Sequence, residues 1–121
     1  MASQLRAPRA VKVKQPKPVK IPEKAVMVEI RTMLKYQGWV VIRIQQGLGC
    51  MKGISDYIAC KRGLTIWIEC KASDGVQSPY QVEFQRRIEA VGGHYVCAKG
   101  YADVEAAIQR ITGQTEKERL F

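Results

Sequence analysis

Histidine occurs once, at His94, and the four cysteines, Cys50, Cys60, Cys70 and Cys97, stand too far apart for a CxxC pair. A structural zinc site is therefore not expected. No apolar run approaches the roughly 18 residues of a membrane span, and no apolar h-region marks a secretion signal. The thiols are accordingly expected to stay reduced in a cytoplasmic setting, with Cys60 and Cys70 acting as small hydrophobes in apolar strands. Acidic residues are missing from Met1 to Pro22, a stretch that carries Arg6, Arg9, Lys12, Lys14, Lys17 and Lys20. Pro8, Pro16 and Pro18 oppose the amphipathic helix of a transit peptide there, so residues 1–21 are expected to be a disordered or PPII-like arm. Its lysines, Lys12, Lys14, Lys17 and Lys20, either contact phosphates or simply solubilise the chain.

What is present describes one domain. The chain has 121 residues, of which 46% are hydrophobic and 26% charged, and that length encloses a single core. Lys and Arg outnumber Asp and Glu by 20 to 11, a formal charge of +9. This points to an acidic partner, nucleic acid first and an anionic membrane surface second. Six of the excess basic residues belong to the arm, so the remainder carries 14 basic against 11 acidic residues and nets only +3.

From Ile21 onward the pattern is an alternation of helices and strands. Pro22 suits a first helical turn, and Val26, Ile30, Met33 and Leu34 recur at helical spacing until Gly38, predicting a helix over 22–37. Glu29 falls on the edge of that apolar stripe rather than on the solvated face. Residues 39–45 are β-branched and aromatic and read as a strand, followed by a loop with Gly47, Gly49 and Gly53. Strands over 54–60 and 64–71 flank the turn Lys61-Arg62-Gly63 and should form a hairpin. Alternation puts Leu64, Ile66, Ile68 and Cys70 on one face, and Thr65, Trp67, Glu69 and Lys71 on the other. Ser78-Pro79-Tyr80-Gln81 has the form of an N-cap, a first-turn proline and a capping-box glutamine, opening a helix that runs to Gly92-Gly93. A strand over 94–99 and a helix over 101–112 complete the order αβββαβα, with 114–121 as a short tail.

Asp56, Glu69 and Lys71 intrude on strands otherwise built for burial. Glu69 and Lys71 project from one face about 7 Å apart, and an antiparallel partner strand can bring Asp56 alongside. Converging carboxylates repel unless a positive charge lies between them. A hard divalent cation such as Mg²⁺ resolves the repulsion, because it takes oxygen ligands and keeps waters and substrate phosphate in its shell. A cation there with Lys71 beside it supplies what phosphodiester hydrolysis requires: an activated water, a polarised phosphoryl group and offset charge on the leaving oxygen.

Gly53-Ile54-Ser55-Asp56, the strand Ile68-Glu69-Cys70-Lys71, the upstream helix with Glu29 and the downstream Ser78…Gln81 helix together resemble the PD-(D/E)xK nuclease superfamily. Within it, residues 22–112 are most similar to the VRR-NUC (virus-type replication-repair nuclease) family, with Ile54-Ser55 standing where the superfamily name has Pro. The resemblance implies an α/β, restriction-endonuclease-like core, with a central mixed sheet flanked by helices, over 22–113. It implies Asp56, Glu69 and the backbone carbonyl of Cys70 as ligands of Mg²⁺ or Mn²⁺, and Glu29 near the metal directly or through water. Lys71 would orient or help deprotonate the attacking water, and Gln81 would support the site. It further implies a structure-selective DNA endonuclease in the cytoplasm of a bacterial or phage-infected cell, most similar to homodimeric resolvases of four-way (Holliday) junctions. Nucleases acting on other branched or linear DNA, and a non-catalytic basic nucleic-acid-binding module on the same fold, are the alternatives.

Each residue also has a simpler reading. Glu69 and Lys71 could form a solvated strand-face ion pair worth about 0–1 kcal/mol, Asp56 could be a turn residue, and Ser78 and Gln81 are accounted for by capping. Glu29 could be an ordinary helix-flank glutamate, and His94, opening a strand, is read as structural rather than as a general base. Arg43, Lys52, Arg86 and Arg87 are candidates for phosphate contact, with ordinary solvated charge as the alternative.

Overall fold

The structure is a computed structural model that describes residues 19–45, 47 and 49–120. Lys12, Lys14, Lys17 and most of the expected arm lie outside the described residues. In chain order the elements are α1 (Glu23–Tyr36), β1 (Val40–Arg43), β2 (Tyr57–Lys61), β3 (Leu64–Cys70), α2 (Pro79–Ala90), β4 (His94–Ala98), α3 (Tyr101–Thr112) and α4 (Glu116–Leu120). The four strands form one mixed sheet in the order β1-β2-β3-β4. The first three run antiparallel, and β4 joins β3 in parallel. A parallel neighbour cannot follow through a tight turn, and α2 supplies the crossover.

The β2–β3 hairpin closes through Arg62 and Gly63 between the paired Lys61 and Leu64. Both turn residues have positive φ, 49° and 80°, as in a type I′ turn whose twist matches the strands. Register then assigns the faces. Ile66 and Ile68 of β3 stand opposite Ala59 and Tyr57 of β2, and Ile68 and Cys70 lie beside Val96 and Ala98 of β4. This face packs on Val26, Ile30 and Leu34 of α1 and Val104, Ala107 and Ile108 of α3, all buried. On the other face Phe84 of α2 meets Trp67 edge-on at 5.4 Å and Tyr95 at 6.0 Å between ring centroids. Helices thus lie on both sides of the sheet, α1 and α3 on one and α2 over β3 and β4 on the other, and polar side chains converge at the strand ends.

The first strand is shorter than the expected 39–45, spanning Val40–Arg43, and two further stretches differ from the sequence-based expectation. The second strand begins at Tyr57 rather than Ile54: Ile54 N–H donates to the Met51 carbonyl and the buried Ser55 hydroxyl donates to the Tyr57 carbonyl. That turn leaves Asp56 just outside the ladder. The expected tail contains a helical turn, α4. Its Arg119, with only 8% of the side chain exposed, bridges Glu105 of α3 at 2.5 Å, and Glu116 accepts from Gln37 at 2.7 Å. The charged sequence Glu116-Lys117-Glu118-Arg119 carries no apolar periodicity, so partners far away in sequence, not local pattern, decide its helicity.

Candidate active site

Antiparallel pairing brings the start of β2 to the end of β3. Tyr57 stands opposite Ile68, so Asp56 comes to lie beside Glu69. The Cys70 N–H donates to Asp56 Oδ2 at 2.8 Å, while the Cys70 side chain is fully buried in the core. The first turn of α1 arrives at the same point. One carboxylate oxygen from each of Glu23, Asp56 and Glu69 lies within 4.8 Å of the others.

Glu69 is the most constrained of the three, with 1% of its surface exposed. Its Oε1 accepts from Gln81 Nε2 at 2.9 Å and faces Lys71 Nζ at 3.6 Å. Its Oε2 is buried and has no hydrogen-bond partner among the described residues. Burial, then the negative charge of Asp56 and a hydrogen bond that the protonated carboxyl shares with it, push the carboxyl up to about 8, against the pull of Lys71. A buried carboxylate oxygen without a partner is costly. Water, a proton or a cation at that oxygen relieves the cost.

The capping box of α2 orients Gln81. The Ser78 hydroxyl accepts from Gln81 N–H at 3.2 Å, and Gln81 Oε1 accepts from Ser78 N–H at 2.9 Å. With its oxygen committed to the cap, the amide can only present Nε2 to Glu69. Capping and support of the site are therefore one arrangement, as the sequence allowed.

The carboxylates open into a cleft of about 550 Å³ lined by Glu23, Arg43, Asp56, Glu69, Lys71 and Gln81, among others. Of the expected site residues the structure gathers Asp56, Glu69, Lys71, Gln81 and Arg43 here. Glu29 is not among them. Its Oε1 accepts the Tyr101 N–H at 2.9 Å, so it caps α3, whose own N-cap, Gly100, has no side chain to do so. Glu23, six residues earlier and about 9 Å back along the helix, stands at the cleft instead. The missed signal was periodic: Glu23 precedes Val26 by three residues and Ile30 by seven, which continues the buried stripe toward the strand ends.

The basic candidates are divided. Lys52 lies over the Tyr80 ring, 5.1 Å from its centroid, and lines a cavity beside the cleft. Arg87 reaches Met51 Sδ at 3.9 Å on the same side. Arg86 is held by Glu83 at 2.5 and 2.8 Å, and Lys20 pairs with Asp74 at 3.3 Å; both spend their charge on surface pairs. His94 opens β4 opposite Ile66, three residues up the sheet from Glu69, in keeping with a structural role.

Chemically, the donor set suits a hard divalent cation. It offers carboxylate oxygens, one of them buried and unpaired, on a cleft wide enough for water and a phosphate. Glu23, Asp56 and Glu69 could hold such an ion, with the adjoining Cys70 backbone carbonyl as a further oxygen. Compared with protein-family models and with curated proteins, the chain matches none.

Proposed function

We propose that the chain is a Mg²⁺- or Mn²⁺-dependent endonuclease on a restriction-endonuclease-like core, akin to the VRR-NUC family, that hydrolyses phosphodiester bonds in branched DNA. The observation that carries this reading is the buried Glu69, placed between Asp56, Lys71 and Gln81 with Oε2 unpaired. A protein that only binds phosphates gains nothing from carboxylates in its groove.

Asp56, Glu69, Glu23 and the Cys70 carbonyl would hold the ion. When bound, the ion supplies Lewis acidity toward the phosphoryl oxygens and acidifies a coordinated water. Lys71 donates hydrogen bonds from Nζ, orients the attacking water and offsets negative charge that grows on the phosphoryl oxygens. The water gives up a proton to solvent and its oxygen forms the new P–O bond as the bond to the 3′ oxygen breaks; the 3′ oxygen takes up a proton from solvent, leaving 5′-phosphate and 3′-hydroxyl ends. Gln81 keeps Glu69 in one orientation through that change. Arg43, at the rim of the cleft, is placed to take a neighbouring phosphate.

Among the described residues one chain carries one such site, so symmetric cutting of two strands in a four-way junction needs a homodimer. Val40 and Ile42 of the edge strand β1, 61% and 49% exposed, offer apolar area for one. The test is cleavage of linear duplex, flap, fork and four-way junction DNA side by side in Mg²⁺, Mn²⁺ or EDTA, with mass measured in solution. Metal-dependent nicking of branched DNA, lost in Lys71→Ala and Glu69→Ala while DNA binding persists, is expected. Binding without cleavage under any metal would instead identify a basic nucleic-acid-binding module.

A further inference from the structure

A second cavity, about 290 Å³, adjoins the carboxylate cleft and shares Gln81 with it. Met51, Lys52 and Gly53 form one wall, and Ser78 and Tyr80 the other. Lys52 Nζ lies 5.1 Å above the Tyr80 ring, and Tyr80 is 58% exposed. An aromatic ring so exposed, at the first turn of a helix and beside a cleft of charged groups, contributes nothing to the core.

Its placement is enforced by the backbone. Gly53 has φ 79°, and a Cβ there would meet the Tyr80 carbonyl oxygen at 2.2 Å. Only glycine lets the loop lie directly on the start of α2. That approach sets Lys52 against the ring, and Arg87, reaching the neighbouring Met51, adds positive charge on the same side. A cation over one face of a ring that is more than half exposed, one residue away from a group that holds Glu69, is the pairing that single-stranded nucleic acid uses: the cation moves to a phosphate and the ring stacks on a base.

We infer that this cavity is a nucleotide subsite, in which Tyr80 stacks on an unpaired base next to the cut and Lys52 holds that nucleotide's phosphate. Paired bases are stacked within the duplex and cannot lie on the ring, so the subsite selects DNA with unpaired nucleotides at a branch. The inference rests on the nuclease reading and names the feature of the substrate that the site recognises.

The test uses the full chain and a forked DNA with 2-aminopurine in the unpaired arm next to the branch, titrated in EDTA and in parallel assayed for cleavage in Mg²⁺. Wild type and Tyr80→Phe should quench the fluorophore, whereas Tyr80→Ala should not and should bind the fork roughly 5- to 150-fold more weakly. Lys52→Ala should lower the salt slope by roughly 0.7, the value of one neutralised phosphate on a single strand. Absence of quenching by wild type, or Tyr80→Ala matching wild type in both quenching and affinity, would overturn the subsite. Tyr80-dependent quenching without metal-dependent cleavage would retain the subsite and remove the nuclease reading; cleavage that ignores Tyr80 would do the reverse.

Discussion

Glu69 makes the candidate site a thermodynamic liability in the absence of a cation, and Glu69→Gln should remove it. The carboxyl is held at about 8 in the folded chain against an ordinary value of 4.5. Between those limits the folded state binds a proton more tightly than the unfolded state does. The stabilisation is therefore complete below about pH 4.5 and is lost as pH rises toward 8, at about 1.4 kcal/mol per pH unit. From pH 5 to pH 8 the loss attributable to Glu69 is on the order of 3 kcal/mol, a large share of the stability of a small domain. Glutamine keeps the shape and never ionises, so the variant should lack this slope and be the more stable protein at pH 8 in EDTA. Mg²⁺ should stabilise the wild type most at pH 8.5, above the folded value of about 8, where the carboxylate is available as a ligand, and should do little for Glu69→Gln. Urea denaturation followed by circular dichroism at pH 5.5, 7 and 8.5, with EDTA or Mg²⁺, measures these effects. The Cys70 and Cys97 thiols, which burial pushes upward, add the same alkaline loss to wild type and variant, so the comparison between the two isolates Glu69. An identical pH slope in wild type and variant would refute the account of Glu69 as a buried, cation-seeking carboxylate.

The exchange of roles between two glutamates of α1 is also measurable. Glu23→Ala should weaken Mg²⁺-induced stabilisation and leave the apo fold nearly intact, whereas Glu29→Ala should cost about 1 kcal/mol through loss of the α3 cap and leave Mg²⁺ binding unchanged. Gln81→Ala removes both the cap partner and the Glu69 donor, so it should lower stability by about 1 kcal/mol and reduce kcat more than it raises KM for DNA, as read by steady-state cleavage. Removing residues 1–18 spares the Lys20–Asp74 pair and tests the basic arm. Affinity for duplex DNA should fall, with the salt slope reduced by roughly 0.9 for each phosphate that the arm no longer neutralises, and an unchanged slope would exclude the arm from binding.

Local chemistry made much of the fold legible. The helix expected over 101–112 is α3, Tyr101–Thr112, because its apolar spacing and terminal Gly113 depend on no distant partner. Ser78, Pro79 and Gln81 form the capping box expected of them, and the 61–63 turn closes the hairpin at the expected place. That hairpin is what made Asp56 and Glu69 readable as neighbours, since a tight turn determines the register of the strands it joins. Glu29 marks the limit of such reasoning. Its position at the edge of the stripe correctly implied a partner, but helix periodicity gives a direction around α1 and not what lies in that direction.

The sequence by itself determined the elements other than α4 and the start of β2, the two faces of β3, and the proximity of two carboxylates across one hairpin, all properties set within a few residues by backbone geometry and side-chain alternation. Only the tertiary structure decided which glutamate of α1 reaches those carboxylates, that Glu69 Oε2 is sealed from water without a partner, and that Tyr80 and Lys52 share the next cavity. Each of these depends on where one element docks against another. Docking is settled by burial of apolar faces far apart in the chain, and no local pattern encodes it.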